Sequence, residues 1–292
     1  PADIKAINSL QSSFKSKTFM ETKYNISQTI LASTFSGFDA SIIEHGELVG
    51  HLSAMENSPD DDIYTHIFTL LAYDSNDYKL HEKAVNSRAN VIKNILKFQK
   101  ANGGFSQKEN EEPNFEATAF AITALSTYKN IVAFSKPLED AVNFLSTVQM
   151  KNGSFGKYEN SESLCSAIIA LNSMEIDLSD KRFNKGKLSL IEHLNSYKLK
   201  DGSYSDIKGG KSSLNSTRLA VIALSSIKKS DNPYILREPI ENSKPQQTKV
   251  ASSFHYIRDN SFKIMVGALT LIVIAIAVII VSHKITKRKK TE

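Results

Sequence analysis

A motif that returns every fifty residues restricts this chain more than any other feature. Ile95 to Gln99 leads to Gly103-Gly104-Phe105, Leu145 to Gln149 leads to Gly153-Ser154-Phe155, and Leu194 to Lys198 leads to Gly202-Ser203-Tyr204. Gln99, Gln149 and Lys198 lie 50 and 49 residues apart. Each motif is followed by a run rich in Ala, Ser and Thr, opening at Glu116, Glu162 or Asn215 and ending at Leu125, Leu171 or Leu224. The unit therefore reads as helix, tight turn, helix. Gly103, Gly153 and Gly202 supply a backbone conformation that side chains resist, and Phe105, Phe155 and Tyr204 cap the apolar face. One such hairpin cannot bury its face alone, so successive hairpins must stack.

Further helices are expected at Asp3 to Lys15, Lys23 to Phe38, Ala40 to Met55, Asp62 to Ala72 and Glu82 to Gln99. The Asp62 helix reads as a degenerate copy, aligned with Glu116 at a distance of 54 residues. These elements make an all-α domain over residues 1–228, best matched over 82–228. Residues 229–262, with Pro233, Pro239 and Pro245, read as a linker.

The Gln-x3-Gly-[Gly/Ser]-[Phe/Tyr] turn and the Glu-[Ala/Ser]-x3-Ala-[Ile/Val]-x-Ala-Leu helix resemble the repeat of the prenyltransferase and squalene cyclase superfamily, most closely over residues 80–228. Asp177 to Phe183 resembles the connection between repeats in membrane-anchored bacterial surface members. The resemblance implies an α/α toroid of about five hairpins. It also implies likeness to the helical domain of cobalamin carriers, so a cobalamin-like ligand is compatible with it.

The catalytic signatures of the superfamily are not matched. Pro59-Asp60-Asp61-Asp62 falls one residue short of the Asp-x-Asp-Asp acid of triterpene cyclases, and the residue two before Cys165 is Ser163, where the zinc of protein prenyltransferases needs Asp. We therefore expect no catalytic residue, no metal and no cofactor. Candidate ligand contacts are Asp62 and His66, one helical turn apart; Glu116 and Glu162, also read as capping residues; and Arg218, which stands where other repeats have Ala119 or Cys165. Lys198, Asn215 and Arg218 depart from the repeat, as a terminal unit does when it caps a stack.

Ile264 to Ser282 carries no charge, and as a helix it is roughly 28 Å long, enough to cross the hydrocarbon core. A single transmembrane helix is expected at residues 263–283, with a basic tail at 284–292. Lys284, Lys287, Arg288, Lys289 and Lys290 place that tail in the cytoplasm and the repeat domain outside. This orientation implies an export signal that Pro1-Ala2-Asp3 does not begin. Lys289 and Lys290 also fit a dilysine retrieval signal, which gives an endoplasmic reticulum membrane with a lumenal domain as the alternative. The tail holds most of the formal charge of +5, which leaves no electrostatic footprint for nucleic acid. The function expected is non-enzymatic binding of a small ligand or partner protein at the cell surface. The alternative is a divergent cyclase or prenyltransferase acting on a lipid.

Overall fold

The computed structural model describes residues 22–41, 48–156, 158–229 and 231–240. The helices expected at Asp3 to Lys15 and across the membrane at 263–283 lie outside these residues, as do the basic tail and part of the segment from Ala40 to Met55. The described helices are α1 (Lys23–Phe35), α2 (Leu48–Ala54), α3 (Ile63–Asp74), α4 (Arg88–Lys97), α5 (Phe115–Leu125), α6 (Val132–Val148), α7 (Ser161–Ser173), α8 (Leu190–Asn195) and α9 (Leu214–Lys229). Short 3-10 turns follow α5 at Ser126–Tyr128 and precede α8 at Lys181–Phe183. Among the described residues pairing outside helices is limited to isolated bridges, two of which, Gln99 with Phe105 and Lys198 with Tyr204, close the repeat turns. None of the described helices is long and apolar enough to cross a membrane.

The odd-numbered helices form one row, α1 beside α3, α3 beside α5, α5 beside α7 and α7 beside α9. Small side chains allow the close approach: Ala117, Ala121 and Ala124 on α5, Ala167 and Ala170 on α7, and Ala220 and Ala223 on α9 are all buried. Each of α2, α4, α6 and α8 packs against the row helix that precedes it, so neighbouring hairpins interlock. The row is the inner layer of the α/α arrangement and the even-numbered helices are the outer layer.

The repeat motif does two jobs. Gly103, Gly153 and Gly202 have φ of +86°, +87° and +87°, the left-handed region expected of the turn. The glutamine ties one unit to the next. The side chain of Gln99 donates to the carbonyl of Gly103 in its own turn at 3.0 Å and to that of Pro137 in α6 at 2.7 Å. Gln149 repeats this with Gly153 and Phe183, both at 3.0 Å. Lys198 occupies the equivalent position in the last unit and is exposed. The sequence departure at Lys198 thus falls where the Gln99 and Gln149 type of tie is no longer made.

Several boundaries move relative to the sequence reading, and the helix expected to reach Phe38 ends at Phe35, before the positive-φ Gly37. The helix expected from Glu82 begins at Arg88, because Ser87 caps it through the backbone N–H of Asn90. The inner helices begin before Glu116 and Glu162. Asn114 accepts from Ala117 N–H and Asn160 from Ser163 N–H, so these amides are the caps and the glutamates lie in the first turn. Asp62 is the cap of α3 and accepts from Thr65 N–H. It therefore corresponds to Asn114, two residues before the position first assigned to it.

Candidate functional site

The starts of the inner helices carry polar side chains along one rim. The Glu162 carboxylate accepts from the Ser216 hydroxyl of the next inner helix at 3.1 Å, and Glu116 receives the Ser163 hydroxyl at 3.5 Å. Arg218 donates to the Asn215 side chain at 2.6 Å. Burial lowers the Arg218 guanidinium below its ordinary value, with Tyr234 and Glu162 acting in the opposite direction. Glu116, Glu162 and Arg218 are thus brought to one rim, and each has a structural partner there.

Asp62 and His66 do not form a pair. The Asp62 carboxylate is taken by Thr65 and, at 3.2 Å, by the Gln107 side-chain amide. The His66 ring lies tilted against Phe98 with centroids 6.0 Å apart. Burial pushes the imidazole down from 6.5 to about 4, with Lys23 and Lys97 adding to the effect and Asp61 and Asp62 opposing it. At neutral pH His66 is an uncharged, packed side chain.

Between α1, α3 and α5 the inner layer carries an aromatic floor. Tyr24 meets Phe68 edge-on at 5.3 Å, Phe68 lies 5.9 Å from Phe120, and Tyr64 meets Phe120 edge-on at 6.1 Å. Burial and the nearby Asp62 carboxylate push the Tyr24 phenol up to about 12. Tyr64 is raised further, by burial first and then by Glu116, Asp62 and Tyr24.

Residues 231–240, read from their prolines as the start of a linker, turn back across the far ends of the inner helices. The Asn232 side chain donates to Thr123 O at 2.7 Å and to the Ser126 hydroxyl at 3.2 Å. Leu236 N–H donates to Ser75 O at 2.8 Å, and Ile240 N–H to the Asn76 side chain at 2.7 Å. Between these anchors Tyr234 enters the interior beside Ala119, Phe120, Thr123, Ser166, Ile169 and Leu219, leaving a cavity of about 10 Å³. That is room for one water at most. The sequence carried a signal here in the short apolar run Pro233 to Leu236, which proline content masked.

The donor set does not fit the zinc of protein prenyltransferases. Cys165 is fully buried on α7, and burial, reinforced by Glu162, raises its thiol well above its ordinary value. A neutral thiol with Ser163 in place of a carboxylate is a poor zinc ligand. Among the described residues no three His, Cys, Asp or Glu side chains group to hold a metal.

A family model described as the prenyltransferase alpha-alpha toroid domain matches residues 53–256. Among solved structures, Candida albicans protein geranylgeranyltransferase-I complexed with GGPP is similar at 17% identity and a TM-score of 0.42, covering 61% of this chain and 52% of that one. The chain spans about half the length of that protein. No curated protein matches it.

Proposed function

This chain belongs to the prenyltransferase alpha-alpha toroid family, and from that premise we propose that it is a non-catalytic binding domain displayed on a membrane by the apolar segment at 263–283. The observation that carries the binding reading is the packing of Tyr234 against the inner helices. Where a lipid substrate would need a deep apolar chamber, Tyr234 leaves a cavity of about 10 Å³. The buried, neutral thiol of Cys165 supports the same reading. A corrinoid is far larger than that cavity, so a cobalamin-like ligand would have to displace the 231–240 segment. A small ligand or partner protein instead meets Glu116, Glu162 and Arg218 at the rim, where donors and acceptors of both signs stand together. The rival reading, an enzyme acting on an isoprenoid, is favoured by the family match itself and by the aromatic floor of Tyr24, Tyr64, Phe68 and Phe120.

Membrane display is supported by the uncharged run from Ile264 to Ser282 and the basic cluster that follows it. The test uses the full chain, tagged at both ends, in intact cells treated with protease. We expect the repeat domain to be digested from outside, the tail tag to stay protected and the fragment to remain with membranes through an alkaline wash. Release by the wash, or digestion of the tail tag from outside, contradicts the reading. Protection of both ends until internal membranes are opened moves the domain to the endoplasmic reticulum lumen.

A further inference from the structure

One stripe of α9 is open where the same stripe of every other row helix is covered. Thr22, Asp62, Asn114, Asn160 and Ser213 each accept from a backbone N–H three residues on, which aligns the five inner helices. The residue after each of these caps is Lys23, Ile63, Phe115, Ser161 or Leu214, and the one seven further is Ile30, Leu70, Ile122, Ile168 or Val221. In the first four units all of these side chains are buried, whereas Leu214 is 55% exposed and Val221 40%. Three residues beyond, Ser33, Tyr73, Leu125 and Leu171 are buried and Leu224 is half-buried. Residues at these intervals lie on one face of a helix. The row helices α1, α3, α5 and α7 are each packed by the outer helix that follows, and among the described residues no outer helix follows α9. We propose that this face of α9 is the seat of the chain's own residues 3–15, docked as the outer helix it lacks. Because that segment leads into α1, its docking joins the first unit to the last and closes the row.

The occupant is chosen by pattern, chain order and charge. Ile4, Ile7, Leu10 and Phe14 recur at intervals of three and four residues, with Lys5, Asn8 and Ser12 on the other side, so the segment offers one apolar stripe as a helix. Residues 16–22 separate it from α1 as residues 55–62 separate α2 from α3, which gives it the place of an outer helix in the first hairpin. Seated antiparallel to α9, it sets Phe14 against Leu214 and the acidic Asp3 against Lys228, which is exposed near the end of α9. A carboxylate at the start of one helix and an ammonium at the end of the other also suit both dipoles.

The curvature of the row permits the closure. The chain from Lys229 to Leu236, which includes a turn, reaches from the end of α9 to the Ser75 carbonyl at the end of α3, less than roughly 25 Å even if fully extended. The three helix spacings from α3 to α9 would come to about 24 to 30 Å in a straight row. The row therefore bends and brings its two ends toward each other. Area favours a tethered occupant over a separate one. A helix face of about three turns buries on the order of a few hundred Å², short of the roughly 1,000 Å² that a stable contact between separate chains needs. A segment of the same chain meets its seat at an effective concentration of about millimolar, so a small apolar face is enough. Docking there is independent of whether the toroid binds or catalyses.

The test uses the full chain carrying Cys165→Ala, so that every thiol present is an introduced one. The thiol of Val221→Cys should be alkylated at least about tenfold more slowly than that of Val132→Cys, a position 89% exposed at the start of α6. Replacing Ile7, Leu10 and Phe14 together by serine should abolish that difference. Mild oxidation should join Val221→Cys to Ile7→Cys or to Leu10→Cys within one chain, read as a linked peptide pair by mass spectrometry. Equal alkylation of Val221→Cys and Val132→Cys, a measurement that leaves residues 3–15 untouched, overturns the proposal. So does slow alkylation that the three serines leave unchanged. A disulfide between two Val221→Cys chains in place of the internal one would assign the face to a second copy and overturn it as well. None of these readouts involves a ligand or turnover, so a failure of the binding reading leaves them intact.

Discussion

Replacing Gly103 by alanine should destabilise the domain by about 4 kcal/mol, whereas the same change at Gly202 should cost about 1 to 2 kcal/mol. Both glycines have positive φ, so both pay the strain of a left-handed side chain. They differ in what a Cβ would meet. At Gly103 it would lie 2.3 Å from the carbonyl oxygen of Asp140, a backbone atom of α6 that cannot move without shifting the next hairpin, while at Gly202 nothing lies within 4 Å. Gly153 is intermediate, with the Gly186 backbone at 3.4 Å. Chemical denaturation of the three alanine variants should rank them Gly103, Gly153, Gly202. Equal losses would mean that the turns do not press on the following repeat, and the stacking account would fail there.

A second large effect concerns acid. His66 has its folded pKa depressed from 6.5 to about 4 by burial, so the unfolded chain takes up a proton that the folded chain refuses. The stability this neutral ring contributes is complete above about pH 6.5 and is lost as pH falls towards 4, a change worth about 3 kcal/mol. Asp74 works in the opposite sense. Burial raises its carboxyl, opposed by the Arg88 guanidinium at 2.8 Å and by the Tyr128 hydroxyl, so its contribution falls as pH rises. The comparison of parent with His66→Gln cancels that term. Relative to the variant, the parent should lose about 3 kcal/mol between pH 7 and pH 4. A difference independent of pH would show that the imidazole is hydrated.

The repeat was legible because its parts obey local rules. A positive-φ glycine, an aromatic two residues later and a run of small residues each announce themselves, and the turns at Gly103, Gly153 and Gly202 appear where the spacing placed them. What the glutamines are for was not legible. Gln99 and Gln149 reach carbonyls at Pro137 and Phe183, more than thirty residues away, and no local rule names a partner at that distance. The helix caps were misplaced by two residues because Glu116 and Glu162 suit the first turn as well as the cap, and the amides at Asn114 and Asn160 were overlooked beside them.

The site was less legible than the fold. Glu116 and Glu162 stood out because they share a repeat position and Arg218 because it departs from Ala119 and Cys165, whereas Asp62 and His66 share a turn in sequence and face different neighbours in space. The aromatic floor is built by rings from three helices, and Tyr234 reaches it from beyond the last repeat. Only tertiary packing brings those residues together. Periodicity within one helix carries no record of it.

Isoprenoid chemistry by the full chain is the most direct test of a non-catalytic interior. The chain should be incubated with zinc, magnesium, geranylgeranyl or farnesyl diphosphate and a cysteine-bearing acceptor peptide, with bound zinc and transferred label both measured. Neither the parent nor Cys165→Ala should retain stoichiometric zinc or transfer label above a protein-free control, because the thiol is buried, neutral and without a carboxylate beside it. Stoichiometric zinc and transfer in the parent, both lost in Cys165→Ala, would contradict the account and make this chain an enzyme.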